Sequence, residues 1–109
     1  MAEKIVNEPH QVQHSLEKWL LSAESIYLTL CLDVFGAAYA PGVSAPQPMG
    51  LSPQMLLPFF RQVLKSGKVI GFDIAELNPL FDRDNQTAAL GASFIAEVLK
   101  NQRNLNYRP

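Results

Sequence analysis

The chain has 109 residues, of which 48% are hydrophobic and 17% are charged. This length suits one domain or part of one, and the apolar content is too high for a disordered tail. The formal net charge is -1, from 9 basic and 10 acidic side chains. Because a protein that neutralises nucleic-acid phosphates needs a basic excess, we expect no nucleic-acid partner.

Several features argue against membrane insertion and secretion. The longest uncharged stretch, residues 34–60, contains five prolines that would break a membrane-spanning helix. Met1 is followed by alanine, glutamate and lysine rather than by the basic and apolar regions of a secretory signal. The single cysteine, Cys31, has no partner for an internal disulfide. We therefore expect a soluble cytoplasmic protein without a membrane segment.

The hydrophobic pattern predicts three helices and two strands. The first helix spans about residues 9–22, where one apolar stripe has helical spacing at Val12, Leu16, Trp19 and Leu20. A strand over residues 25–33 follows, and a second helix begins after Ser52. A second strand over residues 68–73 and a third helix over residues 85–99 complete the pattern.

The two predicted strands are short and continuously apolar, which favours burial on both faces of a parallel sheet. Helices that alternate with such strands indicate an α/β fold. Two parallel strands alone would form a sheet that is all edge. We therefore expect the chain to be the end of a larger sheet, whose remainder lies in missing sequence or in another chain. The polar segments 1–8 and 100–109 are expected to be loose.

A long segment, residues 34–51, joins the first strand to the second helix. Its glycines and prolines predict a loop, and its alanine, tyrosine, valine and methionine content favours an ordered one. Pro53 fits the first position of the helix that Ser52 can cap. Pro58 is expected to kink this helix, and Gly67 is expected to end it.

Acidic and thiol side chains lie at the predicted carboxyl ends of both strands. Cys31 and Asp33 close the first strand, and Asp73 and Glu76 close the second. Ligands of open α/β sheets bind at this edge. Because residues two apart in a strand point to the same face, Cys31 and Asp33 are expected to converge. These acids either bind a cation or a donor group or cap the following turns, and the spacing alone leaves both interpretations open.

Two further candidates have simpler explanations. His10 and His14 are four residues apart, a spacing that can bind a metal ion, but they point away from the apolar stripe and fit a solvated helix face. Cys31 could act as a nucleophile, although no histidine follows it in the sequence to serve as its base.

Three motifs in order give the chain a family resemblance. The C-terminal third of the ureohydrolases, a family that includes arginase, agmatinase and formimidoylglutamase, resembles residues 30–34 (LCLDV), 40–46 (APGVSAP) and 71–79 (GFDIAELNP). The second and third motifs look most like formimidoylglutamase. The resemblance covers about residues 25–99.

The resemblance implies the C-terminal part of a three-layer α/β/α fold around a parallel sheet, with residues 1–109 as a fragment of a single domain. It implies two manganese ions at the strand ends and a small-molecule substrate. That substrate is N-formimidoyl-L-glutamate, which is hydrolysed to L-glutamate and formamide in histidine breakdown. The resemblance leaves open whether the protein forms a homo-oligomer.

The resemblance also implies site residues. The metal-binding Asp-x-Asp pair of the family falls on Cys31 and Asp33, and its later substrate-binding glutamate falls on Glu76. Cys31 thus replaces a carboxylate that would bridge two ions, and manganese prefers oxygen ligands to soft thiolates. The other metal-ligand motifs of the family have no counterpart in this sequence, so we expect the chain alone to be inactive.

Three alternatives remain open at this point. The first is another ureohydrolase, such as a guanidino-acid hydrolase. The second is a non-catalytic piece that binds a partner through its unpaired sheet edge. The third is a metal-free amidohydrolase that uses Cys31 as its nucleophile.

Overall fold

The computed structural model describes residue 5 and residues 7–106, with side chains as far as residue 101. Helices and strands follow one another in the predicted order, which confirms the α/β arrangement. Their bounds are α1 Pro9–Ser22, β1 Ile26–Cys31, a 3-10 helix Leu32–Val34, α2 Pro53–Lys65, β2 Val69–Ala75, a second 3-10 helix Pro79–Phe81 and α3 Gln86–Asn106. Within these ranges no helix is both long and apolar enough to span a bilayer.

Strands β1 and β2 pair in parallel, as predicted, and form a two-stranded sheet in the described part of the chain. The register is regular from Tyr27, opposite Gly71, to Cys31, opposite Ala75. A register shift lies between Ile26 and Tyr27. Because the strands are parallel, their carboxyl ends meet at one edge of the sheet.

The three helices pack on one face of this sheet. Leu20 of α1 is buried with Ile26 of β1 and Val63 of α2. Phe60 of α2 and Phe94 of α3 pack edge to face with ring centroids 4.9 Å apart, a favoured aromatic geometry. The largest cluster of buried residues consists of Leu30, Leu32, Phe35, Ala40, Val43, Phe60, Leu64, Phe94 and Val98.

The segment between β1 and α2, which we call the long loop, is ordered as predicted. Phe35, Ala40 and Val43 within it are fully buried. An isolated parallel bridge between Phe35 and Leu51 joins its two ends. The long loop is therefore part of the core and cannot shift without disturbing it.

Helix α2 begins and ends where its sequence signals predict. The Ser52 hydroxyl accepts a hydrogen bond from the Met55 backbone N–H at 3.3 Å, which confirms the predicted cap. Gly67 has a φ of 74°, the left-handed conformation that commonly follows a helix end. The helix continues through Pro58, and the kink at that residue stays a prediction.

The prediction that both faces of the strands are buried is wrong for the described chain. In β1, Ile26 and Leu30 are buried, whereas the alternate residues Tyr27, Thr29 and Cys31 are exposed. Tyr27 is 62% exposed. All three helices lie on one face, and the described residues place nothing over the other. The described part of the chain therefore leaves one face of the sheet uncovered. We call this face, which carries Tyr27, Thr29 and Cys31 of β1, the bare face.

The strand ends also differ from the prediction. Strand β1 ends at Cys31, so Asp33 lies in the 3-10 helix and not two places along the same strand. Strand β2 extends to Ala75, which puts Asp73 inside the strand instead of at its end. Glu76 is thereby the first residue after β2.

The structure describes parts of both end segments, which were predicted to be loose. Helix α3 continues to Asn106, so residues 100–106 are helical. Ile5 is buried against the long loop and α2. Residues 1–4, 6 and 107–109 lie outside the described residues.

Candidate functional site

The carboxyl edge of the sheet brings the predicted site residues together. Cys31 is the last residue of β1 and lies opposite Ala75, directly before Glu76. Asp33 follows in the 3-10 helix. The charges of Asp33, Glu76 and Asp73 all raise the pKa of the Cys31 thiol, so these three carboxylates lie near it. Their convergence is due to the strand ends and the following turn, and not to a shared strand face as predicted.

The environment of Cys31 raises the pKa of its thiol. Its pKa is raised first by desolvation and then by the negative charges of Asp33, Glu76 and Asp73. The residue as a whole is exposed, so the desolvation is partial and the three carboxylates reinforce it. A nucleophilic cysteine needs a lowered pKa instead. The surroundings of Cys31 therefore argue against a metal-free thiol mechanism.

Asp73 has a structural partner on the bare face. Its Oδ2 atom accepts a hydrogen bond from the Tyr27 hydroxyl at 3.3 Å. The charge of Asp73 is the main reason that the pKa of Tyr27 is raised. The Tyr27 ring lies against Gly71, where a Cβ would be 2.6 Å from two ring carbons. This pairing fits the structural interpretation of Asp73 better than a ligand role.

Glu76 differs from the other acids in its backbone. Its φ is 74°, in the left-handed region that non-glycine residues seldom adopt. Among the described non-glycine residues, Asp84 and Asn85 also have a positive φ, but Asp and Asn tolerate this conformation more readily than Glu. Such conformations persist where surrounding contacts enforce them, and they concentrate at functional sites. The side chain of Glu76 is exposed, so it is accessible to a ligand.

Asn78 joins the end of β2 to the long loop. Its backbone N–H donates to the Gly42 carbonyl at 2.6 Å. Its Nδ2 group donates to the Ser44 hydroxyl at 3.1 Å, and its Oδ1 atom accepts from the Leu80 N–H at 3.1 Å. The sequence alone does not single out Asn78, because its contact with the long loop exists only in three dimensions. These bonds fix the chain two residues after Glu76.

The same loop is anchored at the start of α3. The Gly42 N–H donates to the Thr87 hydroxyl at 2.7 Å, and Thr87 is fully buried. Asp82 accepts hydrogen bonds from the backbone N–H groups of Thr87, at 2.9 Å, and Ala88, at 3.1 Å. Desolvation by itself raises the pKa of Asp82, but its hydrogen bonds outweigh that effect and lower the pKa. Gly42 is required here, because a Cβ would lie 2.7 Å from Asp82.

We expect Thr87→Val to lower the free energy of unfolding by about 1–3 kcal/mol. Valine keeps the shape of the side chain but leaves the buried Gly42 N–H without its acceptor. The measurement is urea denaturation of the chain. Thr29→Val, on the exposed side of β1, is the matched control and should change stability by less than about 0.5 kcal/mol. Equal midpoints for the two variants would show that the Gly42 bond contributes little.

Cys31 and Asp33, the predicted metal ligands, lie two residues apart at the end of β1 and in the following 3-10 helix. The carboxylates of Asp33, Glu76 and Asp73 disfavour a charged thiolate at Cys31, and a bound cation would offset that effect. Within residues 5 and 7–101, however, no group of three or more His, Cys, Asp or Glu side chains is arranged to hold a metal ion. His10 and His14 are exposed on α1 and line a groove toward α2, apart from this edge. The predicted metal ligands Cys31 and Asp33 therefore do not form a metal site by themselves in the described part of the chain.

Comparison with known proteins gives consistent matches. A family model for the arginase family matches residues 2–100. Formimidoylglutamase from Legionella pneumophila (strain Lens) is 51% identical over 84 residues, which are 77% of this chain and 26% of that protein. Formimidoylglutamase from Clostridium tetani (strain Massachusetts / E88) is 47% identical over 88 residues, which are 81% of this chain and 26% of that protein. The chain thus spans about a quarter of the length of these curated relatives.

Solved structures share the fold. Proclavaminate amidino hydrolase from Streptomyces clavuligerus is similar with a TM-score of 0.83 and 26% identity, over 97% of this chain and 36% of that chain. Formimidoylglutamase from Bacillus subtilis subsp. subtilis str. 168 has a TM-score of 0.78 and 24% identity, over 89% of this chain and 30% of that chain. These similarities confirm the predicted fold class, to which the described residues contribute two parallel strands and the helical layer on one side.

Proposed function

The chain belongs to the arginase family, and we propose that it forms the C-terminal part of a formimidoylglutamase. The observation that carries this proposal is its sequence identity to the Legionella pneumophila formimidoylglutamase. The proposed reaction is hydrolysis of N-formimidoyl-L-glutamate to L-glutamate and formamide, a step of histidine breakdown. Because the chain spans about a quarter of that relative, the remaining part of the enzyme is supplied by other sequence.

In this proposal Glu76 binds the formimidoyl end of the substrate. Its carboxylate is exposed next to the carboxyl edge of the sheet and can accept charge-assisted hydrogen bonds from the amidine N–H groups. Its left-handed backbone, directly after β2, supports a role in which the carboxylate must point in one defined direction. If position 76 served only to turn the chain, a glycine or asparagine would adopt the left-handed conformation more easily than glutamate. The glutamate side chain at this position therefore supports a role beyond the turn.

Cys31 and Asp33 are the proposed metal ligands of this part of the enzyme. A metal ion bound there would supply an acidified water molecule for the hydrolysis. The family resemblance favours manganese, whereas the thiol at position 31 is a softer donor than manganese prefers. The role of Cys31 is therefore the proposal that most needs a direct metal-binding measurement.

A guanidino-acid hydrolase is the closest competing activity. Proclavaminate amidino hydrolase has a higher TM-score than the Bacillus subtilis formimidoylglutamase. A carboxylate at Glu76 can bind a guanidinium as well as an amidine, because both present planar N–H donors. Sequence identity favours formimidoylglutamate as the substrate, and a panel of both substrate classes separates the two activities.

A non-catalytic interaction piece is the second candidate, and the bare face favours it. Tyr27 on this face is 62% exposed, and Ile70 of β2, at the register shift, is 72% exposed. Exposed apolar surface of this kind marks contact sites. Size-exclusion chromatography of the chain alone distinguishes this candidate, since a piece with its own partner function should be a stable, soluble species.

The proposed function is tested with a chimeric enzyme, in which this chain replaces the aligned segment of the Legionella pneumophila formimidoylglutamase. We expect the chimeric enzyme to release formamide from formimidoylglutamate when manganese is supplied. We expect the 109-residue chain alone to release none, because its described residues hold only two of the proposed ligands. A folded, manganese-loaded chimera without turnover would contradict the proposed substrate. Manganese-dependent turnover by the chain alone would contradict its role as one part of a larger site.

A further inference from the structure

The conformation of Glu76 is imposed from both sides. Ala75 is fixed in the sheet opposite Cys31, and Asn78 is fixed by its three hydrogen bonds. Only Glu76 and Leu77 lie between these anchors. Leu77 is 42% exposed, so core packing does not dictate how this segment turns. The positive φ of Glu76 therefore follows from the positions of the two anchors.

The Asn78 anchor leads to a rigid part of the molecule. Its bonds go to Gly42 and Ser44 of the long loop, and Gly42 is itself bonded to buried Thr87. Asp82 lies so close to Gly42 that even a Cβ there would clash. The long loop therefore cannot follow a displacement of Asn78, and Asn78 is held at a fixed place relative to α3.

We infer that Asn78 is a positioning residue, which aims the Glu76 carboxylate by clamping the end of β2 to the long loop. This inference rests on the proposed substrate role of Glu76 and adds to it the device that sets its direction. The side-chain bond to Ser44 is the part of the clamp that substitution removes directly. The backbone bond from Asn78 to Gly42 can still form, but it should open more often once the side-chain bonds are lost. A small misplacement of a binding group costs much of its effect on the rate, since substrate and catalyst must meet in one geometry.

The first test measures amide hydrogen exchange in the 109-residue chain. Asn78→Ala removes the acceptor of the Leu80 N–H and the donor to Ser44. We expect about fivefold faster exchange at the Asn78 and Leu80 amides, the factor that corresponds to one ordinary hydrogen bond. The Gly42 amide, which bonds to Thr87, should keep its protection. Unchanged exchange at Asn78 and Leu80 would overturn the inference.

The matched control for this substitution is Asn101→Ala. The Asn101 side chain also donates one hydrogen bond, to the Glu97 carbonyl within α3. It lies outside the clamp, so the Asn78 and Leu80 amides should exchange as in the unsubstituted chain. Faster exchange in both variants would attribute the effect to general loosening and would overturn the clamp.

The second test measures steady-state kinetics and thermal melts of the chimeric enzyme. We expect Asn78→Ala to lower kcat/KM by about tenfold, in the range that misaligned groups produce. Ser44→Ala should lower kcat/KM less, and Ser44→Thr, which keeps the hydroxyl, should retain it. In a Glu76→Gln background, Asn78→Ala should cause little further loss, because it acts through Glu76.

These outcomes separate the inference from the proposed function. If Glu76→Gln leaves kcat/KM unchanged, the substrate role of Glu76 is wrong. If Glu76→Gln lowers kcat/KM while Asn78→Ala has no effect, or an effect that simply adds to it, the function stands and the clamp is wrong. If Asn78→Ala lowers the melting temperature without changing kcat/KM, Asn78 is structural, which also overturns the inference.

Discussion

In the chimeric enzyme, Glu76→Gln is expected to lower kcat/KM by at least about tenfold, the loss that follows removal of a charge-assisted hydrogen bond. Such a bond contributes about 1.5–3 kcal/mol, which corresponds to a tenfold to hundredfold change. Glutamine keeps the shape of the side chain but loses its charge. The left-handed backbone is unaffected by this change, so the folded structure should persist.

The control for this variant is Glu24→Gln. Glu24 is an exposed glutamate just before β1, at the opposite end of the same sheet. The Glu24→Gln substitution should leave kcat/KM, metal content and melting temperature unchanged. The Glu76 variant should match it in metal content and melting temperature and differ only in kinetics. Near-normal turnover with a lowered melting temperature would show that Glu76 is structural.

The sequence predicted those parts of the fold that depend on local signals. Ser52 caps α2 and Gly67 follows its end, because capping and left-handed turns are set by one or two residues. Parallel pairing of β1 and β2 also follows from the order of elements. The burial of the second sheet face could not be predicted, because it depends on what covers the face and not on the composition of the strand.

The acidic and thiol residues of the candidate site could be predicted from the sequence, whereas the residues that hold the surrounding backbone in place could not. Cys31, Asp33 and Glu76 were predicted as site residues because charged and thiol groups after apolar strands stand out in the sequence. Asn78 and Thr87 were missed, since their partners are 34 and 45 residues away in the chain. Polar residues at turns and helix starts are common, so only the three-dimensional contacts distinguish these two from ordinary capping residues.

In the proposed metal-ligand role, the residue at position 31 would determine which metal the carboxyl edge of the sheet prefers. Cys31→Asp in the chimeric enzyme replaces a soft thiol by a hard carboxylate at the position that the family resemblance assigns to a bridging ligand. We expect the variant to bind manganese at least about tenfold more tightly, on the scale by which changes around a metal site alter affinity. Titration of the metal-free protein with manganese measures this change.

The same substitution should have the opposite effect on stability when no metal is present. The charges of Asp33, Glu76 and Asp73 already raise the pKa of the Cys31 thiol, so a fourth carboxylate adds repulsion. We therefore expect Cys31→Asp to melt at a lower temperature than the unsubstituted chimera without metal. With excess manganese it should melt at a higher temperature than the unsubstituted chimera, because a ligand that binds only the folded state stabilises it more when it binds more tightly.

Thr29→Asp provides the matched comparison for this reversal. Thr29 is exposed on the same face of β1, two residues before Cys31 and opposite Asp73, so it adds the same charge away from the proposed ligand position. It should lower the metal-free melting temperature without a comparable gain in manganese affinity. If Thr29→Asp and Cys31→Asp gain affinity equally, general charge at this edge attracts the metal and position 31 is not a ligand. If Cys31→Asp binds manganese no more tightly than the cysteine form, Cys31 is either outside the site or part of a site adapted to sulfur.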